Sequence, residues 1–563
     1  MLRRKILGAS LIYAFLLPSV AFAQTANVGT ASAPAAKVYS APKEVIDKIR
    51  DEGMNRSQVM QTLSYLTDVI GGRLTNSPNM KAANIWTRDT MAKWGMQNAK
   101  LEAWGPFGRG WSLKSFSAQV VEPQTIPVIG YPKAWSTSTR GPVTSEVVLF
   151  NPKDATELDK FRGKLKNKII FVSNLREVKA EFGGLATRTT DEELAKIVEP
   201  ETPRDRPQQT EEDRKKQRDA MAFNLFVRPN FLLSEGAAVI VDSSRSGPDE
   251  QGGNGGTIFV QQASAVSEMP KDMENFSFRS LAPVYDKRNE SRIIPQITIA
   301  TEDYNRILRM INLGVTPKMT IDIQTQYHDE DLMGYNTVAE IPGTDPLLKD
   351  EVVMLGGHMD SWHSSTGATD NAAGTSVAME AARILIASGL KPRRTIRVAL
   401  WSGEEQGLNG SREYVKQQFG EMKPAATPGQ PGQLIKGANY DKLSAYYNLD
   451  NGTGKIRGVY MQGNSAVRPY FEAWLAPFGD LGAKTLTMRN TGGTDHLSFD
   501  RIGLPGFQFI QDEIEYSTRT HHTNQDNYDR IQAEDMKQAS TIMAAFVYQT
   551  AMMDEKMPRK TAR

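Results

Sequence analysis

From about residue 330 onward, apolar runs of strand length alternate with amphipathic runs of helix length, and this alternation restricts the fold more than any other feature. "EVVMLGGH" reads as a strand and "NAAGTSVAMEAARILIASG" as a helix that stops at Gly389. "RTIRVALWS", "LSAYYNLD", "GVYMQG" and "GLPGFQFIQ" read as further strands. "NGSREYVKQQF", "AVRPYFEAWLAPFG" and "AEDMKQASTIMAAFVYQTAMM" read as helices between and after them. Near-continuous apolar strands interleaved with helices imply an α/β fold in three layers, a largely parallel sheet with helices on both faces. Functional residues of such sheets gather at the carboxyl ends of the strands.

The polar residues at those ends are of one kind. His358 and Asp360 follow the first strand, and Asp370 precedes the next helix. Glu404 and Glu405 follow "RVALWSG", Asp450 follows "AYYNL", and His521 and His522 come after "GFQFIQ". A lone Asp there would read as a helix cap and a lone His as a satisfied core residue. Five points on one rim, all of metal-ligand type, read as a metal site for divalent first-row ions. Two histidines, two aspartates and one glutamate give each of two ions three ligands if one carboxylate bridges. Paired ions about 3.5–4 Å apart serve hydrolysis. A further carboxylate is then needed beside the water to move its proton. Adjacent glutamates at a strand end point in different directions, so one can ligate while the other faces the water. The sequence leaves open which does which.

The chain has 563 residues, more than one ordinary domain. "MLRRK", "ILGASLIYAFLLPSV" and "AFA" form a basic, apolar and small-residue succession ending at Ala23, so residues 1–23 read as a signal peptide and 24–40 as a flexible mature N-terminus. The expected destination is the periplasm or the exterior. No other long apolar run exists, so no membrane span is expected in the mature chain. With no cysteine, disulfides, thiolate metal sites and cysteine nucleophiles are excluded. A formal net charge of +2, spread along the chain, excludes a nucleic-acid footprint.

Residues 41–119 read as helix then strand. Residues 120–315 carry recurring short strand signals: "SAQVV", "TSEVVLF", "KIIFVSN", "AAVIVDSS" and "IPQITIA". Inside them the charged stretch 187–219 reads as a solvated, partly disordered insertion. Residues 316–555 hold the main α/β pattern.

"GGHMDSW…GATDNAAGTS", "LWSGEEQGLNGS", "YYNLDNGTG" and "HHTNQDNYDRI" closely resemble the co-catalytic zinc exopeptidases of metallopeptidase family 28. "YLTDVIGGRLTNSPNMKAANIW" and "TGGTDHLSFDRIGLPGFQFIQD" look most like its leucyl-type aminopeptidase and carboxypeptidase Q branch. The resemblance covers nearly the whole mature chain. It implies two Zn2+ per chain, with Mn2+ or Co2+ able to take the same donors. His358 and Asp450 would bind one ion, Glu405 and His522 the other, and Asp370 would bridge. Glu404 would be the general base, and Asp360 would orient the ligand environment. Thr494, Asp495 and His496 of "TGGTDH" correspond to a loop bordering the substrate pocket, and His521 lies where some relatives carry a tyrosine. Region 120–315 resembles an inserted β-rich protease-associated domain, which in relatives shapes access or dimer contacts, so a homodimer is among the expectations.

The leading reading is an exported di-zinc exopeptidase acting on peptides or dipeptides, an aminopeptidase first, with a carboxypeptidase Q-like dipeptidase or carboxypeptidase as the alternative. A cyclase on the same scaffold and a non-catalytic peptide-binding protein are the competing classes. No G-x-S-x-G elbow follows a strand, which leaves a serine hydrolase poorly supported, and no H-E-x-x-H is present, which excludes the thermolysin-type arrangement.

Overall fold

The computed structural model describes residues 38–180, 182–199, 209–245, 254–425, 430 and 432–560. The expected signal peptide and most of segment 24–40 lie outside the described residues. Eight strands build the first sheet: β1 (Gln97–Trp104), β2 (Gly334–Ile341), β3 (Val352–His358), β4 (Thr395–Trp401), β5 (Leu443–Asn448), β6 (Ile456–Tyr460), β7 (Thr485–Thr487) and β8 (Gly506–Gln511). Their spatial order is β1-β2-β4-β3-β5-β8-β6-β7.

The sheet is mixed, which corrects the largely parallel expectation. β4, β3, β5 and β8 are mutually parallel. β1 and β2 run antiparallel on one side, and β6 runs antiparallel to β8 on the other. The physical reason lies in connection length. Only residues 449–455 join β5 to β6, and a parallel return needs a crossover of roughly a dozen residues or more.

Both faces are covered, as the continuous apolar strands require. Val353 and Leu355 of β3 pack with helices Ala373–Ala387 and Ala533–Met552. Val352 and Met354 point the other way, onto Trp401, Tyr414 and Phe499. Helix Ala533–Met552 is buried on nearly every side, so it shows little amphipathic contrast in sequence.

A second mixed sheet of eight strands lies between β1 and β2 in the chain. Strand Gly110–Glu122 enters it and strand Lys318–His328 leaves it, the two pairing antiparallel from Gly110 opposite His328 to Glu122 opposite Lys318. Four strands beside them, Val143–Leu149, Ile169–Phe171, Val239–Ser243 and Gln296–Ile299, are parallel. Val120, Phe171, Val241, Ile297 and Ile321 form their core, and helix Thr301–Asn312 packs against it through Tyr304, Ile307 and Leu308.

The charged stretch has two characters. Glu211–Ala222 is a capped helix with no buried residue, a solvated element. Asp191–Val198 is instead a helix with a capping box at Thr190 and Glu193, and it docks on the edge of the first sheet. Thr487 Oγ1 donates to the Ile197 carbonyl at 2.6 Å, and Arg188 reaches Asp512 and Asp535 at 3.0 and 2.8 Å. Just upstream, Thr187 exchanges both backbone hydrogen bonds with Ile514, at 2.9 and 3.0 Å. The second unit therefore holds the loop that follows β8. Among the described residues, no helix is long and apolar enough to cross a membrane.

Candidate active site

The site is assembled at the carboxyl rim of the parallel strands. β3 ends on His358 itself. β4 ends at Trp401 and turns through Gly403 at φ +72°, where a Cβ would lie 2.7 Å from the Trp104 ring. Only glycine fits that turn, and it delivers Glu404 and Glu405 to the rim. Asp450 follows β5. Asp370 precedes helix Ala373–Ala387, and the Asp526 carboxylate accepts from the backbone N–H of Thr369 (2.6 Å) and of Asp370 (3.1 Å). His522 stands in the loop after β8 with a left-handed backbone, φ +60°. A non-glycine residue holds that conformation only when its surroundings impose it. Here the Val260 N–H donates to the His522 carbonyl at 3.1 Å, and Phe259 bridges Thr523.

Asp370 faces two ways. His358 Nε2 lies 3.2 Å from Asp370 Oδ1 and 3.3 Å from Asp450 Oδ1. His522 Nε2 lies 3.1 Å from Asp370 Oδ2 and 3.0 Å from Glu405 Oε2. Two groups of donors thus converge, each with one imidazole and one private carboxylate, sharing the two oxygens of Asp370. His358 Nδ1–H donates to the Asp360 carbonyl at 3.0 Å, which leaves the Nε2 lone pair aimed at the donor group.

The surroundings hold these donors in place. Asp360 Oδ1 accepts from the Glu404 N–H and Oδ2 from the Glu405 N–H, both at 3.3 Å, and Thr75 Oγ1 donates to Oδ2 at 2.9 Å. Fully buried Arg73 donates to the carbonyls of Met359 (2.7 Å), Thr366 (2.7 Å), Gly367 (2.8 Å), Gly71 (3.0 Å) and Leu66 (3.3 Å). It therefore braces the segment between His358 and Asp370. Gln261, from the second unit, places its Nε2 3.0 Å from His522 Nδ1, and Arg245 donates to its Oε1 at 3.3 Å.

The bare cluster is electrostatically unfavourable. Burial raises Glu404 well above the usual carboxylate range, against the nearby His358 charge. Burial pushes Glu405 up to about 7, with His522 opposing. Burial disfavours a charged His522, yet Glu405 and Asp370 lift it to about 10. For Asp370, burial is outweighed by His358 and His522, which hold it well below its ordinary value. Glu405 Oε1 is buried without a hydrogen bond, and such an orphan is costly unless something satisfies it. Imidazole and carboxylate donors within 4.8 Å of one another (His358, Asp370 and Glu405; Asp370, His521 and His522) suit a divalent first-row cation. The residues present fit a metal centre.

These donors line a cavity of about 520 Å³ together with Glu404, Arg412, Thr494 and Tyr516. Glu404 has no ion pair among the described residues. His521 stacks beside His522, ring centroids 3.8 Å apart, with its Nε2 3.9 Å from Asp370 Oδ2. Of the "TDH" residues, Thr494 is on the wall. Asp495 and His496 are fully buried behind it, with His496 Nε2 3.1 Å from the Thr491 carbonyl. The structure thus brings His358, Asp360, Asp370, Glu404, Glu405, Asp450, His521 and His522 together, and keeps Asp495 and His496 off the cavity surface. Sequence reasoning missed three contributors. Arg73 lay inside a quoted motif without a role. Arg412 reads as an ordinary solvated position of a short helix. Gln261 carries no local signal, since its contact with His522 spans the two units.

Comparison with known proteins shows what the chain resembles. Residues 336–547 match the family model described as Peptidase family M28. Carboxypeptidase Q of Mus musculus is 28% identical over 306 residues, covering 54% of this chain and 60% of the mouse protein. Aminopeptidase YwaD of Bacillus subtilis (strain 168) is 28% identical over 211 residues, covering 37% of this chain and 43% of that protein. The chain therefore spans about three-fifths of the length of the mouse relative. The fold resembles the crystal structure of a Peptidase M28 precursor from Shewanella amazonensis SB2B, with a TM-score of 0.59, 21% identity, and coverage of 92% of this chain and 98% of that one.

Proposed function

We propose, from the match of residues 336–547 to the model of Peptidase family M28, that this chain is an exported two-metal exopeptidase of that family, hydrolysing the peptide bond next to a free terminus. The observation that carries the proposal is the division of the Asp370 carboxylate, one oxygen 3.2 Å from His358 and the other 3.1 Å from His522. His358, Asp370 and Asp450 would hold one cation, and Asp370, Glu405 and His522 the other. Zinc suits this donor set, and manganese or cobalt could take the same positions.

Bound divalent cations supply a polarised scissile carbonyl and an acidified water. The protein supplies the rest. Glu404 is the carboxylate on the cavity wall that is left out of the two donor groups. It takes the proton of the attacking water and returns it to the leaving nitrogen. Its burial, which favours the protonated form, suits a group that must carry a proton between two sites. Asp360 orients it by holding the N–H groups of Glu404 and Glu405 at 3.3 Å each. Thr494 and His521 border the space where the peptide lies. We read the second sheet as a protease-associated insert, and export rests on the basic and apolar N-terminal succession.

Removal of N-terminal residues is the first reading, supported by the relative named as an aminopeptidase. A carboxypeptidase Q-like cleavage of dipeptides or C-termini is the second, supported by the mouse relative and by the arginine on the cavity wall. A mass-spectrometric time course on free, N-blocked and C-blocked short peptides, with zinc and with chelator, tests both. Chelator-sensitive cleavage blocked by N-acylation identifies an aminopeptidase. Cleavage that requires a free carboxylate identifies the second activity, and no cleavage by the metal-loaded chain sinks the proposal.

A further inference from the structure

We propose that Arg412, facing Arg279 of the second unit, forms an anion subsite at the junction of the two units and takes a carboxylate of the bound peptide. The inference rests on the exopeptidase reading and names the substrate class of that site. Arg412 stands near the start of helix Asn409–Gln418. It lines the 520 Å³ cavity with Glu404 and Glu405, and also an adjoining cavity of about 660 Å³ that runs between the units past Arg279 and Tyr285. The two cavities meet at Gly407 and Arg412.

Among the described residues, neither the Arg412 nor the Arg279 side chain has a hydrogen bond or an ion pair, and the same holds for Arg501 nearby. The half-buried Arg412 shares the cavity between the units with Glu413 and exposed Arg279, and a neighbouring cleft with exposed Arg501. Burial, Arg279 and Arg501 together bring it down to about 10, with only Asp495 and Glu404 acting against them. The private carboxylates are already directed elsewhere: Glu405 lies 3.0 Å from His522 and Asp450 lies 3.3 Å from His358. A half-buried guanidinium that no carboxylate touches can be completed by a ligand, and its planar fork matches a carboxylate.

Placement sets which carboxylate. Arg412 and Glu404 line the same cavity, and Glu404 gives its proton to the leaving nitrogen. When the leaving fragment is a single residue, its α-carboxylate is one carbon away from that nitrogen. The subsite thus selects peptides whose leaving residue carries a carboxylate, foremost the free C-terminus of a dipeptide, with an acidic side chain as the other source.

The test compares kcat/KM of the metal-loaded full chain on Leu-Ala, Leu-Ala-NH2 and Leu-Asp-NH2. Leu-Ala should exceed Leu-Ala-NH2 by about 10- to 100-fold, the range of a lost hydrogen bond to a charged group. Arg412→Gln should collapse that ratio towards one, and Arg412→Lys should retain part of it. Leu-Asp-NH2 outrunning Leu-Ala-NH2 would assign the side-chain source, and equal rates the α-carboxylate. A wild-type ratio near one, or a ratio unchanged in Arg412→Gln, overturns the subsite while leaving the exopeptidase reading intact. If no peptide is cleaved, that reading fails, and calorimetric binding decides the subsite separately. Tighter binding of Leu-Ala than Leu-Ala-NH2, lost in Arg412→Gln, keeps it; equal binding overturns it. Should Arg412→Gln not fold, the wild-type ratio and the lysine variant decide.

Discussion

Gln261 Nε2 lies 3.0 Å from His522 Nδ1, so a residue of the second sheet unit sets the ring of a candidate metal ligand carried by the first. A cation at His522 Nε2 requires the proton on Nδ1, so the Gln261 amide must then present its oxygen to the ring and give up the 3.3 Å bond that Oε1 accepts from Arg245.

Gln261→Leu removes the acceptor and keeps the apolar bulk. Metal affinity should fall by about 10- to 100-fold, as for loss of a ligand's outer hydrogen-bond partner. Competition titration against a chromophoric chelator reads this directly. An unchanged affinity would show that the backbone contacts of Ile258, Phe259 and Val260 hold the loop without the Gln261 amide.

Glu404→Gln should keep the bound metal and lower turnover by about 100- to 10,000-fold, the contribution of a general base. Metal content by elemental analysis and kcat on the same preparation separate the two effects. Near-normal turnover would remove Glu404 from the proton path.

Asp370→Ala deletes the carboxylate shared by both donor groups. Both ions should be lost together, leaving well under one per chain after gel filtration. Retention of two would place the bridge elsewhere.

Stability of the metal-free chain should depend on pH in the direction opposite to an ordinary salt-bridged protein. Burial raises Glu405, Asp495 and Asp526 each to about 7. Their unfolded values lie near 4, so between about pH 4 and 7 these carboxylates bind more protons in the folded state and lower stability as pH rises. His522, lifted to about 10, acts the same way. His363, His496 and His521 act against them: burial lowers them to about 4, 4 and 3, and they add stability as pH rises towards their unfolded value of about 6.5. The metal-free melting temperature should therefore be lower at pH 8 than at pH 6. Added zinc should raise it more at pH 8, because ligand carboxylates must be deprotonated to bind. A metal-free chain that is more stable at pH 8 would contradict the buried-carboxylate account.

Arg73→Met should leave the donors intact but unfasten their frame. Leaving buried carbonyls of Met359, Thr366 and Gly367 without a donor should cost on the order of 3 kcal/mol or more. Thermal unfolding of the metal-loaded chain measures this, and a loss under about 1 kcal/mol would mean that water replaces the guanidinium.

Much of the site was legible because strand ends are legible. An apolar run such as "RTIRVALW" must be buried, so the polar residues that follow it must surface at its end, and the alternation with helices puts several such ends on one rim. His358, Asp370, Glu404, Glu405, Asp450 and His522 followed from that local pattern. Local pattern also determined the covered faces of the sheet and the buried closing helix.

The tertiary structure decided what depends on distance across the chain. It made the sheet mixed, because a seven-residue connection between β5 and β6 cannot cross over. It set Glu405 3.0 Å from His522 and left Glu404 without an ion pair among the described residues, a division that the resemblance implied but that identical side chains at adjacent positions cannot reveal by pattern alone. It set Asp495 and His496 behind the cavity wall, and it brought Gln261 to His522 and Arg279 to the cavity of Arg412, each from a distant part of the sequence. Periodicity reports which way a side chain points within its own element. Which other element it meets is settled only by packing, and that is where this chain's ligand support and its anion subsite arise.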